Sequence, residues 1–465
     1  MNQAMDVCRM TSRKTAAKVA MLIVIIIIIV SVTLPSYVRA QCTTPCSYTY
    51  SPKEISNAYD VSPLIEAGYT GQGATVALVN SGIDSAFYTD LDTFSNHYGL
   101  PALSVSVVRP YGPAGTNAEC GIGSGETTAD AESIHAMAPD AKILLVLTGF
   151  SPSAGCAERL IDGFSYVINN DAASIAVLSP SSGVNRATAM ALNSEYAKSV
   201  AEGITLIAAS NDWGSNNTCC GSNPSPGYYL MPQYSPYVTA VGGTVLYLNA
   251  SGGYGHETVW SHSGGGPSPL FPEPHYQVAY PGVPQNGARN IPDVALPASC
   301  QLSIYTPTYP DKPQDGIPGA SDWWGFCGTS ASAPTFAGIV ADIVQEARNT
   351  GFVSSTGGLG FLNPTLYRLG SGSPEDPSYP FHDVTKGCSL VGPNNQIGYC
   401  AHTGWDFVTG WGSIDAMKLA QDIHHNPSTT TVEVAEFQTE SILFVIVMPF
   451  VLAARPKRFH NQILN

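Results

Sequence analysis

Ser330 stands where a tight glycine turn, Gly328-Thr329, would hand a hydroxyl to a small-residue helix, Ala331-Ser332-Ala333-Pro334-Thr335-Phe336-Ala337-Gly338. Pro334 suits an early helical position, and the alanines and Gly338 keep the helix slim enough to pack closely. A serine there lies beside unpaired N–H groups and the positive end of the helix dipole, which favour developing negative charge. Such a hydroxyl either attacks a carbonyl or simply caps the helix. Nucleophilic work needs two further groups, a base and a donor for the oxyanion. Histidine is the usual base, yet none of the ten histidines (97, 135, 256, 262, 275, 382, 402, 424, 425 and 460) lies in a His-Gly-Thr context. Glu126-Thr127-Thr128-Ala129-Asp130 instead places two carboxylates at i and i+4, on one face of a helix. Like charges so close are unfavourable unless they share a proton, since one pKa must then rise. The plainer reading of that pair is an acidic helix start at the positive dipole end. A third carboxylate, Asp212, follows the apolar run Ile204–Ala208, in a segment that would also serve as an ordinary Asx turn.

The segments that carry these groups alternate between apolar strands and amphipathic helices. Ala74-Thr75-Val76-Ala77-Leu78-Val79 reads as a buried strand ending at Asn80-Ser81-Gly82. Further strands are predicted at Lys142–Leu147, Ser174–Leu178, Ile204–Ala208 and Val238–Val241. Helices are predicted at Glu126–Met137, Ala157–Asn169, Arg186–Glu202 and Ser332–Asn349, with a shorter helical stretch around Glu54–Tyr59. This alternation indicates an α/β fold: a mostly parallel sheet with helices on both faces. No internal repeat interrupts it.

The 465 residues suffice for one large domain or two ordinary ones, and their 12% charged content with 45 glycines and 35 prolines suits a loop-rich extracellular protein. Val19 to Leu34 is a nearly unbroken aliphatic run behind Arg13, Lys14 and Lys18, so residues 1–40 read as a signal peptide or N-terminal anchor, with Gln41 after the cleavage site. Residues 41–423 then form the catalytic domain, and 424–441 a linker without core pattern. Ile442 to Ala454 is apolar and followed by Arg455, Lys457 and Arg458, which makes 442–465 a candidate C-terminal membrane anchor with a basic tail. The expectation is an extracellular or cell-surface, membrane-anchored protein. The two ends hold eight of the 20 Lys/Arg and one of the 35 Asp/Glu, so the body between them carries a formal balance of −22. Such a surface excludes nucleic acid as a partner. It suits acid, where carboxylate protonation relieves self-repulsion. Ten of the eleven cysteines lie beyond residue 40, an even number that reads as disulfides, with Cys42–Cys46, Cys120–Cys156, Cys300–Cys327 and Cys388–Cys400 as local pairings. Asn216-Asn217-Thr218 and Asn249-Ala250-Ser251 are glycosylation sequons.

With these segments taken together, residues 50 to 422 resemble the sedolisin family, serine-carboxyl peptidases whose fold is similar to subtilisin. The resemblance runs through Ser235-Pro236-Tyr237-Val238-Thr239-Ala240-Val241-Gly242-Gly243-Thr244, Ser263-Gly264-Gly265-Gly266, Arg289-Asn290-Ile291-Pro292-Asp293-Val294 and the Gly-Thr-Ser segment. It implies Ser330 as nucleophile, Glu126 as general base and acid, Asp130 as the carboxylate that holds Glu126, and Asp212 as oxyanion donor. The chemistry is coherent: a histidine base with pKa of about 6.5 is protonated in acid, whereas a glutamate of about 4.3 still accepts a proton. The implied activity is an acid-active endopeptidase acting on proteins or peptides. A true subtilisin is the competing scheme, but Asn80 stands where its aspartate would, and Glu126 where its histidine would.

The resemblance also implies one Ca²⁺, held by the carboxylates of Asp383 and Asp406 and the backbone oxygens of Val384, His402 and Gly404, hard ligands that suit this ion. His402 stands where the family more often has glycine, Cys327 where it has serine, and Ser182 where it often has a tryptophan beside the substrate strand. Family members carry a long prosegment; here the catalytic resemblance starts soon after residue 41, which points to a separately encoded propeptide or to none being needed. A catalytically silent surface-binding module on the same scaffold is the alternative function.

Overall fold

Aliphatic runs too apolar to face water on either side form the strands of a central sheet in the computed structural model, which describes residues 49–83, 85–112, 124–149, 155–216, 227–307, 322–391 and 396–425. In chain order these strands are β1 (Thr75–Asn80), β2 (Ser104–Val108), β3 (Lys142–Leu147), β4 (Ile175–Leu178), β5 (Thr205–Ala209), β6 (Thr239–Leu248), β7 (Tyr254–Val259) and β8 (Val294–Pro297). They lie in the order β8-β6-β5-β4-β1-β3-β2 with every neighbour parallel, and β7 adds to β6 as an antiparallel hairpin. Alternate residues of β1 face opposite ways: Val76 and Leu78 join one apolar cluster, Ala77 and Val79 the other. The first cluster takes Ile55 from α1 (Pro52–Ala58), Phe94 from α2 (Phe87–Tyr98), Ile134 from α3 (Ser124–Met137), Phe336 from α6 (Thr329–Asn349) and Leu419 from α7 (Ala416–His425). The second takes Phe164 from α4 (Gly155–Asn169) and Leu192 from α5 (Arg186–Tyr196). The result is the expected parallel sheet with helices on both faces.

Several boundaries differ from the sequence expectation. The helix predicted over Arg186–Glu202 stops at Tyr196 and resumes as the short turn Ser199–Glu202. Ser199 Oγ donates to the Tyr196 carbonyl at 2.7 Å, competing with the helical ladder. The strand predicted at Val238–Val241 runs on to Leu248, because β7 folds back along it through the turn where Asn249 N donates to Gly253 O. Helix α6 begins at Thr329, three residues before the predicted Ser332, so Pro334 sits in its second turn, not its first. Helix α7 takes in His424 and His425, the first two residues of the expected linker.

Cys300–Cys327 and Cys388–Cys400 are bonded, each with Cα atoms 3.9 Å apart. The expected Cys42–Cys46 and Cys120–Cys156 pairings, the terminal apolar segments and the rest of the linker lie outside the described residues. Among the described residues no helix is long and apolar enough to cross a membrane. A fully buried ion pair locks the far side of β6: Arg289 donates to both oxygens of Asp293, at 2.8 and 2.6 Å, while Asp293 Oδ2 accepts the Ala240 N–H at 2.8 Å.

Asp342 is the opposite case. It is fully buried in α6, and among the described residues neither carboxyl oxygen has a hydrogen-bond partner. Burial, and after it the charge of Asp140, holds its pKa well above the ordinary value. The folded chain therefore keeps Asp342 protonated where the unfolded chain ionises it. Its stabilising influence is complete below the unfolded pKa of about 3.9 and is lost as pH rises toward the folded pKa. Asp342→Asn is expected to raise stability at pH 7 by about 1–3 kcal/mol while changing it little at pH 4. Urea unfolding at both pH values checks this; an equal shift at both would show that the carboxyl does not titrate in the fold.

Candidate active site

Parallel strands leave their carboxyl ends at one edge of the sheet, where open α/β folds bind ligands. Asn80 closes β1, Ser179 follows β4, and Asn211 and Asp212 follow β5 at that edge. Helix α6 begins beside them. Its cap residue Gly328 has φ +87°, and a Cβ there would lie 2.4 Å from Asp212 Oδ2, so both the conformation and the space require glycine. The Cys300–Cys327 bridge staples the residue just before this turn, and Gly328 N donates to Ala298 O at 2.8 Å.

Thr329 donates twice to Asp212 Oδ1, from its backbone N–H at 2.7 Å and from Oγ1 at 2.8 Å. The other carboxyl oxygen, Oδ2, lies against Gly328. Burial raises the Asp212 pKa, and the Thr329 bonds and the nearby His262 only partly offset it. Ser330 is the second residue of the helix and is part exposed; among the described residues its hydroxyl has no hydrogen-bond partner. Pro334 has no N–H to give the Ser330 carbonyl, and Ser179 Oγ lies 3.4 Å from that carbonyl instead.

The two carboxylates of α3 face the same place. Glu126 is 7% exposed and Asp130 is 0% exposed, so neither belongs to a solvated helix face. Ser179 Oγ donates to Asp130 Oδ1 at 2.9 Å, and Asn80 Nδ2 reaches Oδ2 at 3.5 Å. Burial, then the charge of Glu126, pushes the Asp130 pKa well above the ordinary carboxylate value. A pair in which one member strongly resists ionisation is suited to hold a single proton between them. The start of α3 is anchored by Thr127 Oγ1, which donates to Gly82 O at 2.7 Å.

Helices α3 and α6 cross where a Cβ on Gly338 would lie 2.7 Å from Ile134 O, an approach that only glycine leaves open. Gly338 is eight residues past Ser330, and Ile134 eight past Glu126, about 12 Å of rise in each helix. The crossing therefore brings the two helices that carry Ser330 and Glu126 into close backbone contact. Ser179, which touches both Asp130 and the Ser330 backbone, closes the gap between the helices at the sheet edge. The four residues singled out in the sequence thus sit around one edge. Asn80 and Ser179 had no role assigned from sequence, although each directly ends or follows an apolar strand, the position from which a side chain reaches that edge.

The remaining candidates lie in the loops after residue 380. Asp383 Oδ2 accepts the Gly404 N–H at 2.9 Å; Asp406 Oδ1 accepts from Val408 N at 2.8 Å and Thr409 N at 2.9 Å, and Oδ2 from His402 N at 3.2 Å. Burial raises both aspartates, Asp406 to about 6. Among the described residues no donor reaches the carbonyls of Val384, His402 or Gly404. These bonds set Asp383 beside Gly404 and Asp406 beside His402; among the described residues no group of three or more His, Cys, Asp or Glu side chains is placed to hold a metal ion. Ser182, expected beside the substrate, is buried at the start of the short strand Ser182–Asn185, which pairs antiparallel with Tyr228–Met231.

A model of the subtilase family matches residues 71–357. The chain is similar to sedolisin of Pseudomonas sp. (strain 101), 30% identical over 81% of this chain and 62% of the relative, and to kumamolisin of Bacillus sp. (strain MN-32), 31% identical over 82% and 65%. It thus spans less than two thirds of the length of either relative. A solved structure of Pseudomonas sedolisin, a serine-carboxyl proteinase complexed with two molecules of pseudo-iodotyrostatin, superposes with a TM-score of 0.64 at 27% identity, over 82% of this chain and 99% of that one.

Proposed function

From a chain that belongs to the subtilase family, and within it to the sedolisins, we propose an acid-active serine-carboxyl endopeptidase that works outside the cytoplasm. The observation that carries this reading is the Ser179 hydroxyl, which ties buried Asp130 to the backbone of Ser330 and so joins a carboxylate pair to a helix-start serine. Ser330 Oγ attacks the scissile carbonyl while Glu126 takes its proton, and Asp130 steadies Glu126 by sharing that proton. Asp212 in its neutral form, which burial favours, donates to the tetrahedral oxyanion, while the Thr329 bonds to its other oxygen orient the carboxyl and only partly offset the rise in its pKa. Collapse expels the amine, which takes the proton back from Glu126. Water, activated by the same glutamate, then releases the acid and restores Ser330.

Acid operation is supported by a set of buried carboxyls. Asp130, Glu132, Glu257 and Asp342 are all held above their ordinary pKa chiefly by burial. Each is protonated at lower cost in the fold than in the unfolded chain, so the fold gains from falling pH where most proteins lose. The two disulfides support an oxidising compartment. The test is casein or haemoglobin hydrolysis by the purified protein across pH 2–8. The reading expects a maximum near about pH 3–5, with covalent trapping by a peptide aldehyde in that range. Neither cleavage nor trapping would leave the silent binding module.

One Ca²⁺, held by Asp383, Asp406 and the carbonyls of Val384, His402 and Gly404, is part of the same proposal. Its chemistry would be structural, tying two loops whose Val384, His402 and Gly404 carbonyls accept no hydrogen bond among the described residues. Chelation is expected to lower Tm by about 5–10 °C, with recovery on adding Ca²⁺ but not Mg²⁺. Scanning calorimetry with and without EDTA checks it; an unchanged Tm would remove the metal from the reading.

A further inference from the structure

The segment Asn211–Asn216 leaves β5 under restraint at both ends. At its near end Asp212 is fastened to the start of α6 by Thr329, whose Oγ1 also accepts the Asn211 N–H at 3.2 Å. Along one side Gly264 N donates to Asn211 O at 2.8 Å and Gly214 N to His262 O at 2.9 Å. At the far end the Ser215 side chain enters the two-stranded hairpin Cys388–Val391 and Gln396–Cys400. Its Oγ accepts the Tyr399 N–H at 2.8 Å and is hydrogen-bonded to Ser389 Oγ. A Cβ on Gly398 would lie 2.2 Å from Ser215 Oγ, so the hairpin leaves that space to the serine hydroxyl. The hairpin is itself held: the Cys388–Cys400 bridge closes it, and Leu390 N donates to Ser261 O at 2.7 Å.

We propose that Ser215 is a positioning residue for Asp212, seated in the Cys388–Cys400 hairpin; the proposal rests on the reading of Asp212 as oxyanion donor. Only Trp213 and Gly214 separate the two residues. Three residues span at most about 10 Å, so the segment has little slack. A carboxyl that must meet a developing oxyanion within hydrogen-bond distance gains or loses heavily over fractions of an ångström. Thr329 restrains one oxygen of Asp212, and the seat of Ser215 restrains the direction from which its backbone approaches.

The test is kinetic, on a peptide substrate at the acid optimum. Ser215→Ala is expected to lower kcat about tenfold with KM within about twofold and Tm within about 3 °C. In an Asp212→Ala background the same substitution should cost nothing further, because there is no carboxyl left to position. An equal loss in both backgrounds would make Ser215 merely structural and overturn the proposal. If Asp212→Ala alone leaves kcat unchanged, the oxyanion reading fails instead, a separate outcome of the same cycle. Should Ser215→Ala not fold, Ser389→Ala removes one partner and keeps the other. It should lower kcat about threefold in the parent and not at all in the Asp212→Ala background, and an equal fall in both overturns the proposal.

Discussion

Ser330→Ala is expected to lower kcat/KM for acid peptide hydrolysis by about 10⁴–10⁶-fold. The substitution removes one oxygen and with it the only atom proposed to bond to the substrate. Glu126, Asp130 and Asp212 stay in place, so a residual rate above solution hydrolysis survives from the oxyanion donor and substrate alignment. Stability should hardly move, with Tm within about 2 °C of the parent. The Ser330 hydroxyl has no partner among the described residues, and its removal orphans no donor or acceptor. Peptide-aldehyde trapping should disappear completely, because the hemiacetal has no oxygen from which to form. Activity within tenfold of the parent would exclude Ser330 as the nucleophile, whatever else on the sheet edge is intact.

Features with a local pattern were legible in the sequence. Strand β3 has the predicted bounds, Lys142–Leu147, because the five-residue aliphatic run Ile143–Leu147, buried throughout, has few other uses. Glu126 and Asp130 share a face by helical spacing alone, and Ser330 follows its glycine by two residues. What was not legible depends on partners far along the chain. Ser179 meets Asp130 across 49 residues, and Ser215 meets Tyr399 across 184. Nothing near either serine distinguishes it from an ordinary loop hydroxyl. Pro334 misled for a related reason: a proline in a second helical turn is costly unless something else serves the orphaned carbonyl. Here Ser179, brought in by the sheet, approaches it. The helical pattern over Arg186–Glu202 breaks after Tyr196 because the Ser199 hydroxyl donates to the Tyr196 carbonyl.

Asp212→Ala is expected to lower kcat by about 10²–10³-fold at the acid optimum, and Asp212→Asn by distinctly less. The difference follows from how the carboxyl is held. Oδ1 accepts both the Thr329 N–H and the Thr329 hydroxyl, and Oδ2 lies against Gly328 at the start of the nucleophile helix. An asparagine can keep its oxygen on Thr329 and turn its NH₂ toward the oxyanion; an alanine offers neither. The pH dependence separates the variants further. Burial raises the Asp212 pKa, so its neutral, donating form persists to higher pH than in a free aspartate. It is nevertheless lost once pH passes that raised value, and the parent's kcat should fall with it. The amide of Asp212→Asn does not titrate, so its kcat should hold to higher pH, until Glu126 and Asp130 limit the rate. A kcat–pH profile of the three proteins on one substrate decides the matter. Coincident alkaline limbs for parent and Asn variant would mean that Asp212 does not supply the oxyanion's proton donor. An Asn variant as impaired as the Ala variant would mean that an amide donor cannot replace the carboxyl, and would overturn the donor reading of Asp212, since the asparagine oxygen still serves Thr329.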